Sequence, residues 1–176
     1  MPGRGMLDLY LVRHAIAHER DASRWPDDGK RPLSPQGESR FRLAARGLKR
    51  IVPAVDVLLS SPLVRALQTA QILREEARWP DPRPVRAFGS GQRVTQAVTA
   101  LRDYSDTTSV AVVGHEPNLS ELAAHLLAGA GENLALEVKK GGVVCLGLDG
   151  GARPDSAWLR WSLSPKLLRA LASGPR

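Results

Sequence analysis

The feature that most restricts the fold is a repeated hand-over from a short apolar run into a helix-start pattern. Residues 55–60, Val-Asp-Val-Leu-Leu-Ser, read as a strand that ends at Ser61-Pro62, after which Leu63, Ala66, Leu67, Ala70, Ile72 and Leu73 recur at helical spacing to about Glu76. A β-branched run, Val110 to Val113, ends in Gly114-His115; Pro117-Asn118 then opens a second helical stretch over 119–128, closed by Gly129. At the start of the chain, residues 7–13 place Leu7, Leu9 and Leu11 on one face of a strand and Tyr10 and Val12 on the other, as expected of a buried strand. A polar loop over 17–33 follows, and Ser34-Pro35 caps a helix running to about Arg50. The pattern predicts further strands at 85–88, 134–138, 143–148 and 158–163, a helix over 94–104 and a last one over 165–172. Alternation of this kind implies an α/β fold, a three-layer α/β/α arrangement around a mostly parallel central sheet. At 176 residues it is expected to form one domain, with its core between about residues 7 and 172.

Composition narrows the function classes. Hydrophobic residues make up 43% and charged residues 24%, the balance of an ordinary folded domain, and the apolar runs fall far short of the roughly 20 residues of a membrane span. Residues 1–6 are short and small-residue-rich, and Asp8 interrupts the apolar run after them, so no signal peptide is expected and the cytoplasm is the expected location. The single cysteine, Cys145, lies in an apolar run and reads as a small buried hydrophobe. The net charge of +7, carried mainly by scattered arginines, favours anionic partners. With 5% aromatics and no helix-turn-helix, zinc-knuckle or RNP pattern, nucleic acid is not expected among them.

In open α/β sheets, ligands collect beyond the carboxyl ends of the strands, which singles out three places. Arg13-His14 ends the first strand, Ser60-Ser61-Pro62 with Arg65 follows the second, and Gly114-His115 ends a later one. A neutral imidazole can attack phosphorus while guanidinium groups hold the equatorial oxygens, and Arg65 falls in a helix's first turn, where N–H groups and the dipole also favour an anion. A protonated His115 would neutralise further charge. Two histidines and two arginines thus make a phosphate cradle without a metal. The four histidines, His14, His18, His115 and His125, show no HExxH or paired His/Cys spacing, so neither a metal nor another cofactor is expected; His18 reads as loop-exposed and His125 as a helix-flank residue.

Leu11-Val12-Arg13-His14-Ala15 resembles the signature of the histidine phosphatase superfamily, and the alanine after histidine resembles its SixA phosphohistidine phosphatase branch. Arg31-Pro32-Leu33-Ser34 with Gly37, Ser61-Pro62 with Arg65-Ala66 and Gln68-Thr69, Gly114-His115-Glu116-Pro117, and Trp161 with Leu163-Ser164-Pro165 are similar to that branch in order and spacing. The resemblance implies a phosphoglycerate mutase-like fold, with His14 accepting the phosphoryl group and Arg13, Arg65 and His115 binding it. It makes Arg31 a substrate-binding candidate, for which a loop-fixing salt bridge is the alternative. Many relatives carry a carboxylic acid in the loop after the third strand, where this chain reads Phe88-Gly89-Ser90-Gly91-Gln92. That departure favours phosphohistidine over alcohol esters as substrate, since imidazole, with a conjugate-acid pKa of about 6.5, leaves with little help. Glu116 is a candidate substitute acid or, alternatively, a helix-start residue. The expected partner is a phosphorylated protein of histidine phosphotransfer type or a small phosphorylated molecule. A phosphatase of small phosphoesters and a non-catalytic phosphate- or nucleic-acid-binding module are the alternatives.

Overall fold

The computed structural model describes residues 6–129 and 134–174. Strand β1 (Met6–Arg13) leads through the 17–33 loop into helix α1 (Pro35–Ile51), followed by β2 (Val57–Ser60), α2 (Val64–Ile72) and a π turn over Leu73–Ala77. Next come β3 (Arg83–Pro84), a 3-10 turn over Arg86–Phe88, α3 (Val94–Arg102), β4 (Ser109–Gly114) and α4 (Asn118–Ala128). The chain closes with β5 (Val143–Asp149), β6 (Ala157–Leu163) and α5 (Pro165–Ala172). The sheet order is β3-β2-β4-β1-β5-β6. β1, β2, β3 and β4 pair in parallel, β5 runs antiparallel to both neighbours, and the sheet is therefore mostly parallel.

The period-two pattern of β1 sorts its side chains into two cores. Tyr10 and Val12 pack with Phe41, Ala44 and Leu48 of α1, Ala66 and Ala70 of α2 and Leu168 of α5. Leu7, Leu9 and Leu11 pack with Val98 and Leu101 of α3 and Leu119, Leu122 and Leu126 of α4. Helices thus cover both faces, and this is the fold class expected. Cys145 is buried on β5.

Several local expectations are corrected. The 134–138 stretch, apolar but for Glu137, forms no strand: the Val138 N–H donates to the Glu116 carboxylate and its carbonyl accepts from Arg13, so these backbone groups are satisfied by side chains and not by a ladder. The strand expected at 85–88 lies earlier, at Arg83–Pro84, where an edge position tolerates a proline that cannot donate to the ladder. The Val85 N–H still reaches the Ser60 carbonyl at 2.8 Å, and Phe88 and Gly89 then bond back to Val85 and Arg86 as a tight turn. Ser34 caps α1 as expected, accepting from the Gly37 N–H at 3.0 Å. Ser61 does not cap α2, which starts at Val64; its hydroxyl accepts from the Leu63 N–H at 3.2 Å. The helix expected over 94–104 ends at Arg102.

One close approach brings α1 up to the site. A Cβ on Gly37 would lie 1.9 Å from the Ile16 carbonyl oxygen, so only glycine lets the first turn of α1 rest on the backbone two residues beyond His14. The Ser34 N–H donates to that same carbonyl at 3.0 Å.

Candidate active site

The strand register brings the three predicted places together. Arg13 of β1 pairs with Gly114 of β4, and Ser60 of β2 with Val113. One residue further, the His14 N–H donates to the Gly114 carbonyl at 3.0 Å and the Ser61 N–H to the Val113 carbonyl at 2.9 Å. His14, Ser61 and His115 therefore stand side by side at the carboxyl end of the parallel strands, with the two imidazole centroids 5.0 Å apart.

His14 is buried, and its Nδ1 donates to the Ala15 carbonyl at 2.7 Å. A carbonyl can only accept, so the ring proton resides on Nδ1 and the lone pair on Nε2. Burial pushes the imidazole pKa down to about 4, helped by the charges of Arg65, Arg13 and Lys140 and opposed by the Ala15 bond. At neutral pH the ring is a neutral base. His115 is also buried; its Nε2 pairs with the Ser61 hydroxyl at 2.7 Å. The expectation of a cationic His115 does not hold for the protein by itself: burial, then His14, Arg65 and Arg13, lower its pKa to about 3.

The guanidinium groups are held at one end and unpaired at the other. Arg13 Nη1 donates to the Val138 carbonyl at 2.9 Å. Arg65, buried in the first turn of α2, donates from Nη1 to the Asp28 carbonyl at 2.9 Å and lies 3.3 Å from the Asp28 carboxylate through Nη2. Burial works against its charge and Asp28 in part restores it. Among the described residues, the buried side-chain nitrogens and oxygens without a hydrogen-bond partner are Arg13 Nε, Arg65 Nε and His115 Nδ1. Buried polar groups are almost always paired, so three orphans on three neighbouring residues mark a place built for an acceptor with several oxygens.

The remaining candidates are differently engaged. Arg31 is buried, donating from Nε to the Asp28 carboxylate at 2.7 Å and from Nη1 to the His18 carbonyl. It thus shares Asp28 with Arg65, and the Arg31 bond is the main reason the Asp28 carboxyl is held below its usual range. Both carboxylate oxygens of Glu116 accept hydrogen bonds, one from Ser120 and one from the Val138 N–H. His18 is half-buried, its ring centroid 5.1 Å from that of Trp25, rather than simply exposed; His125 lies half-buried on α4. Among the described residues no group of three or more His, Cys, Asp or Glu could hold a metal ion, and no helix is long and apolar enough to cross a membrane.

Sequence reasoning gave no role to three supporting residues. Asp28 is the counter-ion of three arginines, Arg20, Arg31 and Arg65; only its place in a loop that also holds Arg20, Lys30 and Arg31 hinted at it. The Thr69 hydroxyl accepts from the Ala15 N–H at 3.0 Å and donates to the Arg65 carbonyl at 2.7 Å, tying the end of β1 to α2. Asn118 pins the loop after β3, accepting from the Gly91 N–H and donating to the Gln92 carbonyl.

The two depressed histidines make stability fall with acid. Each has a folded-state pKa below the unfolded value near 6.5, so between about pH 6.5 and pH 4 the unfolded chain binds more protons than the folded one and stability drops as pH is lowered. Thermal unfolding of the wild type is expected to shift down by on the order of 5–10 °C between pH 7 and pH 5. A midpoint unchanged over that range would show that the two rings are not held neutral.

A sequence-family model described as histidine phosphatase superfamily (branch 1) matches residues 9–88. The chain is 34% identical over 149 residues to an uncharacterized protein of Picosynechococcus sp., covering 83% of this chain and 87% of that one. In structure it is similar to the protein histidine phosphatase SixA complexed with tungstate, with a TM-score of 0.78 and 25% identity over 92% of this chain and 99% of that one. It also shares its fold with the alpha-ribazole phosphatase from Shigella flexneri, with a TM-score of 0.69 and 18% identity over 90% of this chain and 97% of that one.

Proposed function

The chain belongs to the histidine phosphatase superfamily, branch 1, and on that premise we propose that it is a metal-independent phosphohistidine phosphatase working through a phosphohistidine on His14. The observation that carries this reading is the set of three buried, unpartnered nitrogens, Arg13 Nε, Arg65 Nε and His115 Nδ1, beside a histidine that is neutral at working pH. They match the equatorial oxygens of a phosphoryl group, and SixA with tungstate offers a tetrahedral oxyanion on a related fold.

In the first step the Nε2 lone pair of His14 forms a bond to phosphorus as the bond to the substrate's imidazole nitrogen breaks. When the substrate ring carries a proton on its other nitrogen, it leaves as neutral imidazole and no protein acid is needed. In the second step water attacks phosphorus, the electron pair of the breaking bond returns to Nε2, and both of the water's protons leave with inorganic phosphate as the monoanion. Throughout, Nδ1 keeps its proton on the Ala15 carbonyl and carries the positive charge that builds on the phosphorylated ring. The dianion's own field opposes that of the arginines and strengthens donation from His115. Catalysis of this kind rests on positioning and charge.

The substrate preference follows from the acids at hand. The loop from Phe88 to Gln92 holds no carboxylate, and Glu116 already accepts from Ser120 and Val138. The open choice lies between a phosphohistidine-bearing protein in the cytoplasm and a small phosphoester. EDTA-treated protein is expected to release phosphate from a phosphohistidine peptide and little from an aryl or alkyl phosphate. Preference for the ester would transfer the reading to a small-molecule phosphatase, and release from neither would favour a phosphate-binding module.

A further inference from the structure

Glu116 follows His115 directly, yet its carboxylate is spent on structure. Oε2 accepts from the Ser120 hydroxyl at 2.6 Å and the Ser120 N–H at 3.2 Å, inside the first turn of α4. Oε1 accepts from the Val138 N–H at 2.8 Å. The carbonyl of that same residue accepts from Arg13 Nη1 at 2.9 Å. Two covalently joined groups of Val138 therefore link Glu116 to Arg13.

The 134–142 segment has no ladder to hold it, and its neighbours Glu137, Lys139 and Lys140 are exposed while Val138 is buried. It nevertheless brackets Arg13. The Gly141 N–H donates to the Arg13 and His14 carbonyls at 3.0 and 3.2 Å, and the Arg13 N–H donates to the Gly142 carbonyl at 3.1 Å. Among the described residues, Glu116 supplies the one side-chain acceptor that fixes the far end of this brace. With Nη1 committed to Val138, the edge of the Arg13 guanidinium formed by Nε and Nη2 is the fork left for a substrate, and its Nε is buried and unpartnered.

We propose that Glu116 is a positioning residue: by holding Val138 between α4 and β1 it sets the plane of the Arg13 guanidinium against the phosphoryl group. This rests on the reading of the site as a phosphatase. It also separates Glu116 from the acid role, because a strut needs an acceptor at that place and an acid needs a proton.

The test uses wild type, Glu116→Ala, Glu116→Gln, Arg13→Ala and the Arg13→Ala/Glu116→Ala double variant, with two readouts: hydrolysis of a phosphohistidine peptide and calorimetric binding of orthovanadate. Glu116→Ala is expected to lower kcat/KM by about 10- to 100-fold and to weaken vanadate binding. Glu116→Gln, whose amide oxygen still accepts from the Val138 N–H, is expected to recover most of both losses. In the double variant the Glu116 change should add little to Arg13→Ala, since both act through one guanidinium. Should Glu116→Ala fail to fold, Glu116→Asp replaces it: one methylene too short to span Ser120 and Val138, it is expected to lose activity although it remains an acid. Equal damage in the Gln and Ala variants, wild-type behaviour in Ala or Asp, or fully additive losses would each overturn the strut. A wild type that binds vanadate without hydrolysing the peptide would sink the phosphatase reading while leaving the vanadate comparison to judge Glu116; one that does neither would overturn both.

Discussion

His14→Ala is expected to lower phosphate release from a phosphohistidine peptide by about 10⁴-fold or more, because no other group at the site can accept the phosphoryl group in line. His115 is the nearest rival; its Nε2 is committed to Ser61 at 2.7 Å, and in the proposed mechanism its unpartnered Nδ1 donates to the phosphoryl oxygens. Wild-type protein quenched in alkali during turnover should carry one added phosphoryl group on the peptide containing His14, and the variant none. The fold should survive, since the ring contributes one hydrogen bond, to the adjacent Ala15 carbonyl. The variant should also lose less stability than wild type on acidification, having discarded one of the two histidines that resist protonation. Turnover at the wild-type rate would show that the nucleophile lies elsewhere.

The second large effect is expected at Arg65. Its guanidinium is buried beside His14, and its Nε has no partner, so removing it takes away both a fixed charge and an aligned donor. Arg65→Ala is expected to cost about 10³-fold in kcat/KM. Arg65→Lys should recover only part of that, since an ammonium group supplies charge without the planar fork and cannot at once keep the Asp28 carbonyl and reach the substrate. The loss should persist at high salt, because a buried charge is poorly screened. Full activity in Arg65→Lys would mean that a point charge is sufficient and that the fork geometry is irrelevant.

Much of this was legible in residue order because the chemistry here is concentrated at strand ends. Alternation in 7–13 sorted Leu9 and Val12 to opposite faces, and the two later strand-to-helix hand-overs located Arg65 and His115. What escaped has physical reasons. The 134–138 stretch carries the apolar pattern of a strand, but a pattern cannot tell that the Val138 N–H and carbonyl are taken by the Glu116 and Arg13 side chains and not by a ladder. Ser61-Pro62 looks like a cap because Ser and Pro are common there, yet the Ser61 hydroxyl is turned to His115 and α2 begins at Val64. That His115 is neutral in the protein by itself is not legible in residue order, because desolvation and the fields of His14 and two arginines are properties of the assembled site. Asp28 is invisible as a counter-ion until the loop folds back on α2 and lays its carboxylate against Arg31 and Arg65.

The single hydroxyl of Thr69 has a further consequence. Because it joins the Ala15 amide to the Arg65 carbonyl, the backbone that carries the nucleophile and the helix that carries the phosphate-holding arginine open and close as one cooperative unit with the sheet. The 17–33 loop begins two residues later and is tied to the same helix, through Arg65 and the Asp28 carbonyl at 2.9 Å and through the Leu33 N–H and Gln68 at 2.7 Å. Loop, nucleophile and arginine are thereby fastened to one another at several points, so the spacing between imidazole and guanidinium keeps the lifetime of the folded core.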